Sequence, residues 1–552
     1  MFLNVTNPAA SIVLAACLPL LFLIPNTGGA GLELPTNSLS WLLTVIATSI
    51  FAPKLILPTS WTSPTSIMCI ALIVLMLASH SHPDSDIPVT LLIGIGFTCL
   101  ILFLVGNAST HGDLIALCWI LVAFGVIVTG YSLLEMYNYD VSIFGGNMSS
   151  GWITGPFQQK NVNGSFLATA LVGAFVIFED HRSRTQNDRV FFAICTTIIL
   201  LAISVTISGS RTAWFSTVIA LIFVSIASSR YRNVGILFGL VAAGVVAGSM
   251  LLFTSELAEV VKTKLNVESG RWDILYPRAW HLIMERPLTG YGYGTFAAYF
   301  AELQAAAYQS DPQSPIWTTL PQHPHNFLLF WWYNSGLAAP VLIITVLIYF
   351  LALIFRQRPA SEALTFLALL MPIGLHMMLE FPLRASAIHW VIVTSLVALA
   401  ISRTDPRTSY GRSISKFIGG TALSTLQGIV ILSSTLFLTN NAYVGYRLWQ
   451  YQASSMNTNY LDKIITPGSL DQRYQRAWYE AHLLAGVSQR NKALLDIYVI
   501  WAQTEIELSR NLSAYQGLAI AYDVLGDTDA GAQIKSEMAY YYPTVVSGEG
   551  RS

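Results

Sequence analysis

Long apolar stretches recur across the first 440 residues, and they constrain the fold more than anything else in the chain. Examples are "SIVLAACLPLLFLI", "IPVTLLIGIGFTCLILFLVG", "RVFFAICTTIILLAISVTI" and "AAPVLIITVLIYFLALIF". A hydrocarbon core about 30 Å thick takes about 20 such residues as helix. The expectation is therefore an all-α, polytopic membrane bundle. About thirteen helices fit, near 9–25, 38–52, 64–79, 87–106, 113–135, 162–178, 189–207, 212–228, 234–253, 326–354, 362–379, 386–402 and 417–438. Composition agrees: 11% of the 552 residues are charged, against roughly one quarter in soluble domains. The first apolar run lacks a basic leader and more spans follow, so no cleavable signal peptide is expected. A net charge of −1 gives no bulk attraction to nucleic acid, which is not expected as a partner.

Orientation follows from the loops, because short cytoplasmic connections retain Lys and Arg. One alternating set carries Lys54, Arg182, Arg184, Arg189, Arg230, Arg232, Arg356, Arg358, Arg403, Arg407, Arg412 and Lys416. The opposite short loops carry only Lys160, Arg211 and Arg384. The first set is thus assigned to the cytoplasm. The long loop 254–325 and the tail from 440 then lie on the outer side. The expected domains are a transmembrane bundle 1–253, the loop 254–325 with an amphipathic helix, a second bundle 326–439 and an outer domain 440–552.

The three outer-side cations depart from the pattern. Lys160 and Arg211 each stand at a helix start, in "QQKNVNGSFLATAL" and "SGSRTAWFSTVIAL". Unpaired backbone N–H groups and the helix dipole already favour an anion there, so an added cation weakens the end unless something negative sits between. A basic residue beside a span also serves as an interfacial anchor. Together the three suggest a phosphate or pyrophosphate site.

In the tail charges return and apolar positions become periodic. "AYQGLAIAYDVLGDTDAGAQIKSEMAYYYP" follows the tetratricopeptide pattern, and the segment before it reads as two further amphipathic helices. Such a helical domain binds protein segments or props up the loop; both readings stand.

The segment "LPQHPHNFLLFWW" sets His323 and His325 one residue apart at the mouth of a span. A His-x-His pair can hold zinc or copper, but no third ligand cluster accompanies it. The five cysteines fall in or beside spans and show neither disulfide nor metal spacing, so no metal or other cofactor is expected. Interfacial histidines can also be structural, bonded to loop carbonyls. The third reading is catalytic, since imidazole accepts a proton near neutral pH, and Asn326 could orient a ring or a substrate hydroxyl.

The loop before it, "GRWDILYPRAWHLIMERPLTGYGYGTF", reads as an amphipathic helix with Trp272, Leu275, Ala279, Leu282 and Ile283 on one face. Such a helix could lie on the membrane surface. Gly290, Gly292 and Gly294 lack the spacing of a nucleotide fingerprint and are taken as a turn. Arg271 and Arg278 are further candidate phosphate ligands, each equally readable as a surface charge.

These residues resemble the bacterial O-antigen ligase and polymerase superfamily, and within it the protein O-oligosaccharyltransferases. The resemblance rests on the helix count, "SGSR" opening a span, the loop opening with Gly270-Arg271-Trp272 and carrying "RPLTGYGYGTF", and "HPHNFLLFWWYNSGLAAP" with Gly336 ten residues after Asn326. "GPFQQKNVNGSFLATAL" resembles the Gln-x-Asn element of the protein-directed branch, here Gln159 and Asn161, and "EFPLRASAIHW" its Glu-x-Pro-Leu element, here Glu380. Gly164 stands where alanine is frequent, and Arg384 where an aromatic residue often follows Pro-Leu.

The resemblance implies a GT-C-like, metal-independent glycosyltransferase in the bacterial inner membrane with its active site facing the periplasm. It would move an oligosaccharide from an undecaprenyl diphosphate carrier to Ser or Thr hydroxyls of pilin-like or other periplasmic proteins. His325 is then the expected base, with His323 as a weaker candidate or orienting neighbour. Arg211, Arg271 and Lys160 would hold the pyrophosphate, because guanidinium groups stay charged and bind phosphate oxygens bidentately. Alternatives are an O-antigen ligase acting on lipid A core, a lipid-linked glycan transporter, and a scaffold built on the helical tail. A transporter calls for midplane charge pairs or inverted repeats; here Glu380, His376 and His389 lie near span ends.

Overall fold

The computed structural model describes residues 8–22, 24, 31–51, 56–58, 63–80, 89–105, 111–137, 153–157, 159–184, 188–228, 231–255, 270–402, 411–413 and 420–546. The start of the expected outer loop, 256–269, and Lys54, Arg230, Arg403, Arg407 and Lys416 lie outside them. The fold is helical; one short antiparallel pairing joins Ile56–Pro58 to Gly411–Ser413. Among the described residues seven helices are long and apolar enough to cross a membrane, from Gly112–Met136 to Thr421–Ala453, and shorter apolar helices include Arg211–Ala227 and Ala387–Ile401.

The chain divides into two compact units. The first comprises Met1–Ile73, Val89–Val267 and Ile344–Tyr446, the second Val74–Pro88, Glu268–Ile343 and Arg447–Ser552.

At the centre of the first unit is the helix Lys160–Arg184, whose apolar window is 94% buried. It packs on the helices His111–Met136, Asp188–Ile207, Arg211–Ala227 and Ala360–Met377. Small residues allow the close approach that lipid-embedded helices rely on. A Cβ added at Gly125 would stand 2.6 Å from Ala170 Cβ, and one at Gly244 2.8 Å from the Ile199 carbonyl oxygen. At Gly94 it would meet the Trp390 ring at 2.5 Å, and the indole N–H of Trp390 donates to Thr98 Oγ1 at 2.7 Å. Arg358 caps the helix Ala387–Ile401, donating to the carbonyls of Leu399, Ala400 and Ser402 at 2.6, 2.8 and 3.0 Å. A cation suits that negative helix end.

In the second unit four helices, Asp471–Gln489, Lys492–Ser509, Leu512–Leu525 and Thr528–Tyr541, each pack on the next. Asn491, Asn511 and Asp527 cap three of the starts, each satisfying an N–H that the helix cannot. Gly517 is required where two helices cross, since a Cβ there would lie 1.9 Å from the Tyr498 hydroxyl. Their core includes Ala301 and Ala305 of the helix Phe296–Ser310, so the expected outer loop contributes a helix of its own to this unit. Arg510 adds ion pairs to Glu302 at 3.3 Å and Glu537 at 3.7 Å.

Two expectations are corrected. The helix read as 326–354 is two, Phe327–Ser335 and Ala338–Gln357. Gly336 separates them at φ 73°, held against the loop so closely that a Cβ would stand 1.9 Å from the Leu288 carbonyl oxygen. The break falls at Asn334-Ser335-Gly336, a short polar stretch ending in glycine that the hydropathy of the flanking apolar runs outweighs. Trp272, placed with Leu275, Ala279, Leu282 and Ile283, is 70% exposed while those four are buried. The last apolar helix, Gly420–Ala453, runs on past residue 440 without a break.

Candidate functional site

The candidate residues fall in both units. Gln159, Lys160, Asn161, Arg211, Glu380 and Arg384 belong to the first; Arg271, Arg278, His323, His325 and Asn326 belong to the second.

In the first unit two helix starts converge. Ser210 caps the helix Arg211–Ala227, accepting from the Ala213 N–H at 3.2 Å, and donates its own proton to Asn161 Oδ1 at 2.9 Å. Gly164 makes this fit possible: a Cβ would lie 2.7 Å from Ser210 Cβ. That accounts for glycine at this position. Lys160 and Arg211 each open a helix, with Arg211 and Gln159 exposed. The corner is braced from behind. The carboxylate of Glu135 accepts from the N–H groups of Thr154 at 2.9 Å and Gly155 at 2.7 Å and from the Thr154 hydroxyl at 3.1 Å. Two helix N-termini, each opening with a cation, thus stand beside one another.

Five residues after Lys160 the same helix carries Ser165, the hub of a buried polar cluster. Its hydroxyl lies 2.9 Å from His376 Nδ1, 3.0 Å from His389 Nε2 and 3.1 Å from the Val162 carbonyl oxygen. One proton assignment satisfies all three: Ser165 donates to Val162 and accepts from both rings. His389 Nδ1 then accepts from Ser386 Oγ at 2.9 Å. The turn between His376 and His389 carries Glu380, which is buried, and Arg384, which is half-buried. Asn37 clamps that turn, donating to the Ala385 carbonyl at 2.7 Å and accepting from the Ala387 N–H at 3.0 Å. Sequence reasoning treated His376 and His389 only as residues near span ends and passed over Ser165. The available signal was that two polar rings in apolar stretches require partners.

In the second unit His325 holds a left-handed backbone, φ 50°, uncommon outside glycine although histidine is among the enriched exceptions. Its N–H donates to His323 Nδ1 at 3.2 Å, the two ring centroids are 4.4 Å apart, and its carbonyl accepts from the Tyr276 hydroxyl at 3.4 Å. Asn326 caps the helix Phe327–Ser335 by accepting from the N–H groups of Leu328 and Leu329, both at 3.0 Å. Its side chain is thus a helix cap, a role beyond the ring orienter expected of it.

The glycine-rich loop wraps the other end of that helix. Tyr291 and Gly292 donate to the carbonyls of Tyr333 and Asn334 at 2.7 and 3.1 Å, and Gly290, Gly292 and Gly294 take φ of 73°, 84° and 83°. The expected turn is what forms.

Arg271 is half-buried at the start of the turn Arg271–Leu275, behind Gly270 at φ 62°. Arg278 donates to the Pro315 carbonyl at 3.0 Å and lies 5.4 Å from the Phe300 ring centroid. Burial lowers its pKa from the usual guanidinium value. It therefore props the loop 311–320. Among the described residues no group of three or more His, Cys, Asp or Glu is arranged to hold a metal ion.

Comparison with known proteins agrees with the motif resemblance. Residues 196–344 match the O-antigen ligase family, a range that includes Arg211, Arg271, Arg278, His323, His325 and Asn326. Residues 364–546 match the family described as virulence factor membrane-bound polymerase, C-terminal, a range with Glu380 and Arg384. The General O-oligosaccharyltransferase of Acinetobacter baylyi is 25% identical over 266 residues, covering 46% of this chain and 44% of that protein. The matched part thus spans less than half the length of that relative. No solved structure matches.

Proposed function

We infer from the O-antigen ligase match at residues 196–344 that this multi-pass membrane chain is a ligase-like, glycan-transferring enzyme. The finer reading we propose is transfer of an oligosaccharide from a polyprenyl diphosphate carrier to Ser or Thr hydroxyls of secreted, pilin-like proteins. In this reading the site faces the periplasm from the bacterial inner membrane, and the partners are a lipid-linked oligosaccharide, an acceptor protein and the surrounding lipid. The observation that carries it is the His325 corner: an imidazole on a left-handed backbone, braced by His323 and Tyr276, within the ligase-matching range. Strained backbone of this kind is concentrated at functional sites.

The proposed step is a single displacement. The acceptor oxygen loses its proton to the His325 ring and forms a bond to the anomeric carbon. The bond from that carbon to the diphosphate oxygen breaks, and its electron pair leaves on the phosphate, inverting the centre. Arg271, in the same unit as His325, compensates the charge that grows on the leaving group; Arg211, Lys160 and Arg384, in the other unit, are the further candidate cations for a diphosphate. Arg278, Gln159, Asn161, Asn326 and Glu380 hold the segments on which those groups sit. Positioned proton transfer commonly contributes about 10²–10⁴-fold, and each preorganised donor about 10²–10³-fold.

A second reading, transfer to a lipid A core sugar, is favoured by the O-antigen ligase match itself. Purified protein, a lipid-linked oligosaccharide, a pilin-like acceptor and excess chelator separate the two. A glycan-dependent mass shift on the acceptor protein supports the first reading. A modified lipid A core with an unchanged acceptor protein supports the second, and loss of all transfer on chelation overturns the metal-free step.

A further inference from the structure

The segment Arg271–Leu288 presents an apolar stripe that the protein covers only in part. Trp272, Trp280, Met284 and Leu288, at intervals of four and eight residues, are 70%, 48%, 42% and 73% exposed. Trp280 and Met284 stand one turn apart on the helix Tyr276–Glu285, with Trp272 in the helical turn before it and Leu288 in the turn that follows it. The opposite face, Leu275, Ala279, Leu282 and Ile283, is buried against Phe296, Phe300 and Tyr333. The segment thus has a buried apolar face and a second one that is largely exposed, its Trp272 and Trp280 touching the protein edge-on, at Tyr276 and Trp332.

The stripe does not end at Leu288. Gly336 packs against the Leu288 carbonyl, and the Leu337 N–H donates to the Pro287 carbonyl at 2.8 Å. Leu337 and Val341 follow, 37% and 53% exposed, at the start of Ala338–Gln357. That helix is apolar enough to cross a membrane and only 28% of its window is buried by protein. Its exposed residues include Leu337 and Val341 at its start, beside the Pro287–Leu288 backbone at the end of the segment.

We propose that Arg271–Leu288 is an interfacial membrane anchor, with Trp272, Trp280, Met284 and Leu288 seated in the bilayer at the mouth of the span Ala338–Gln357. Tryptophan suits that depth because its ring is apolar and its N–H can stay wet. Flanking groups complete the amphipathic pattern. His281 and Glu285 pair at 3.3 Å with both side chains exposed, and Arg286 lies 4.5 Å from the Tyr291 ring centroid. The anchor fixes more than itself. Arg271 opens the segment and Tyr276 holds the His325 carbonyl, so seating the stripe sets the height of both above the lipid. The inference stands on exposure and continuity and does not depend on the transfer reaction.

The test places a spin label at Trp272→Cys, Met284→Cys or Leu288→Cys in the full chain, in nanodiscs of phosphatidylethanolamine and phosphatidylglycerol. The unsubstituted protein serves as blank. Glu507→Cys, exposed on the helix Lys492–Ser509, is the control. The anchor predicts labels at 272, 284 and 288 that collide with oxygen in preference to a water-soluble nickel chelate, about 5–10 Å below the phosphates. Nickel accessibility equal to that at 507 overturns it. So do immobilised labels with dipolar broadening, which would mean that a second copy covers the stripe. A measurement on the unsubstituted protein guards against misfolded variants: a photoactivatable phospholipid with its probe near the headgroup should modify peptides from 271–288. Modification confined to the long apolar helices would overturn the proposal.

Discussion

The backbone N–H of His325 donates to Nδ1 of His323, so the second ring is defined by the first residue's geometry. With Nδ1 accepting, a neutral His323 carries its proton on Nε2. His325 in turn is held in the left-handed region, which costs a non-glycine residue about 1–2 kcal/mol. Function and stability should therefore separate at these two positions.

His325→Gly should melt no lower than the parent, because glycine adopts this φ freely. His325→Ala should melt lower. Both should lose about 10²–10⁴-fold in transfer rate. Melting in detergent and turnover with a lipid-linked oligosaccharide check the pair; an active His325→Gly would remove the base assignment.

His323→Ala removes the acceptor for the His325 N–H and should reduce turnover less than loss of His325. His323→Asn, which can present a carbonyl oxygen to that N–H, should recover part of the loss. Equal rates for the two variants would mean that the hydrogen bond does not position His325.

Ser165→Ala withdraws the partner that His376 Nδ1 and His389 Nε2 share. Leaving buried polar groups unpaired costs about 1–3 kcal/mol each. The expected outcome is a clear fall in melting temperature, with turnover retained below the new transition. Cysteine at 165, a weak donor and acceptor, should fall between.

Arg510→Ala removes ion pairs to Glu302 and Glu537 and the contact with the Tyr541 ring at 5.1 Å. Solvent-facing pairs contribute about 0–1 kcal/mol and the cation–π contact about 0.5–1. A loss of about 1–2 kcal/mol is expected. It should show as faster proteolysis between the helix Phe296–Ser310 and the four C-terminal helices.

Gly336→Ala must place a methyl group within 1.9 Å of the Leu288 oxygen at φ 73°. The glycine loop cannot hold its bonds to Tyr333 and Asn334 if it moves. We expect poor folding yield, with Leu288→Ala giving no rescue, since the clash is with backbone.

The chain's local chemistry was enough to determine that it is helical and membrane-embedded. It also showed that basic residues open two apolar helices and that a His-Pro-His-Asn segment leads into an apolar, aromatic helix. Each of these depends on neighbours in sequence. The partners of Ser165 lie 211 and 224 residues away, and only packing of three helices brings them together. The break at Gly336 and the glycine at 164 are likewise set by what a distant backbone or side chain leaves room for. Trp272 is the clearest case. Periodicity identifies an apolar face, but protein and lipid are both apolar solvents for it, so only the packed structure decides which face meets which.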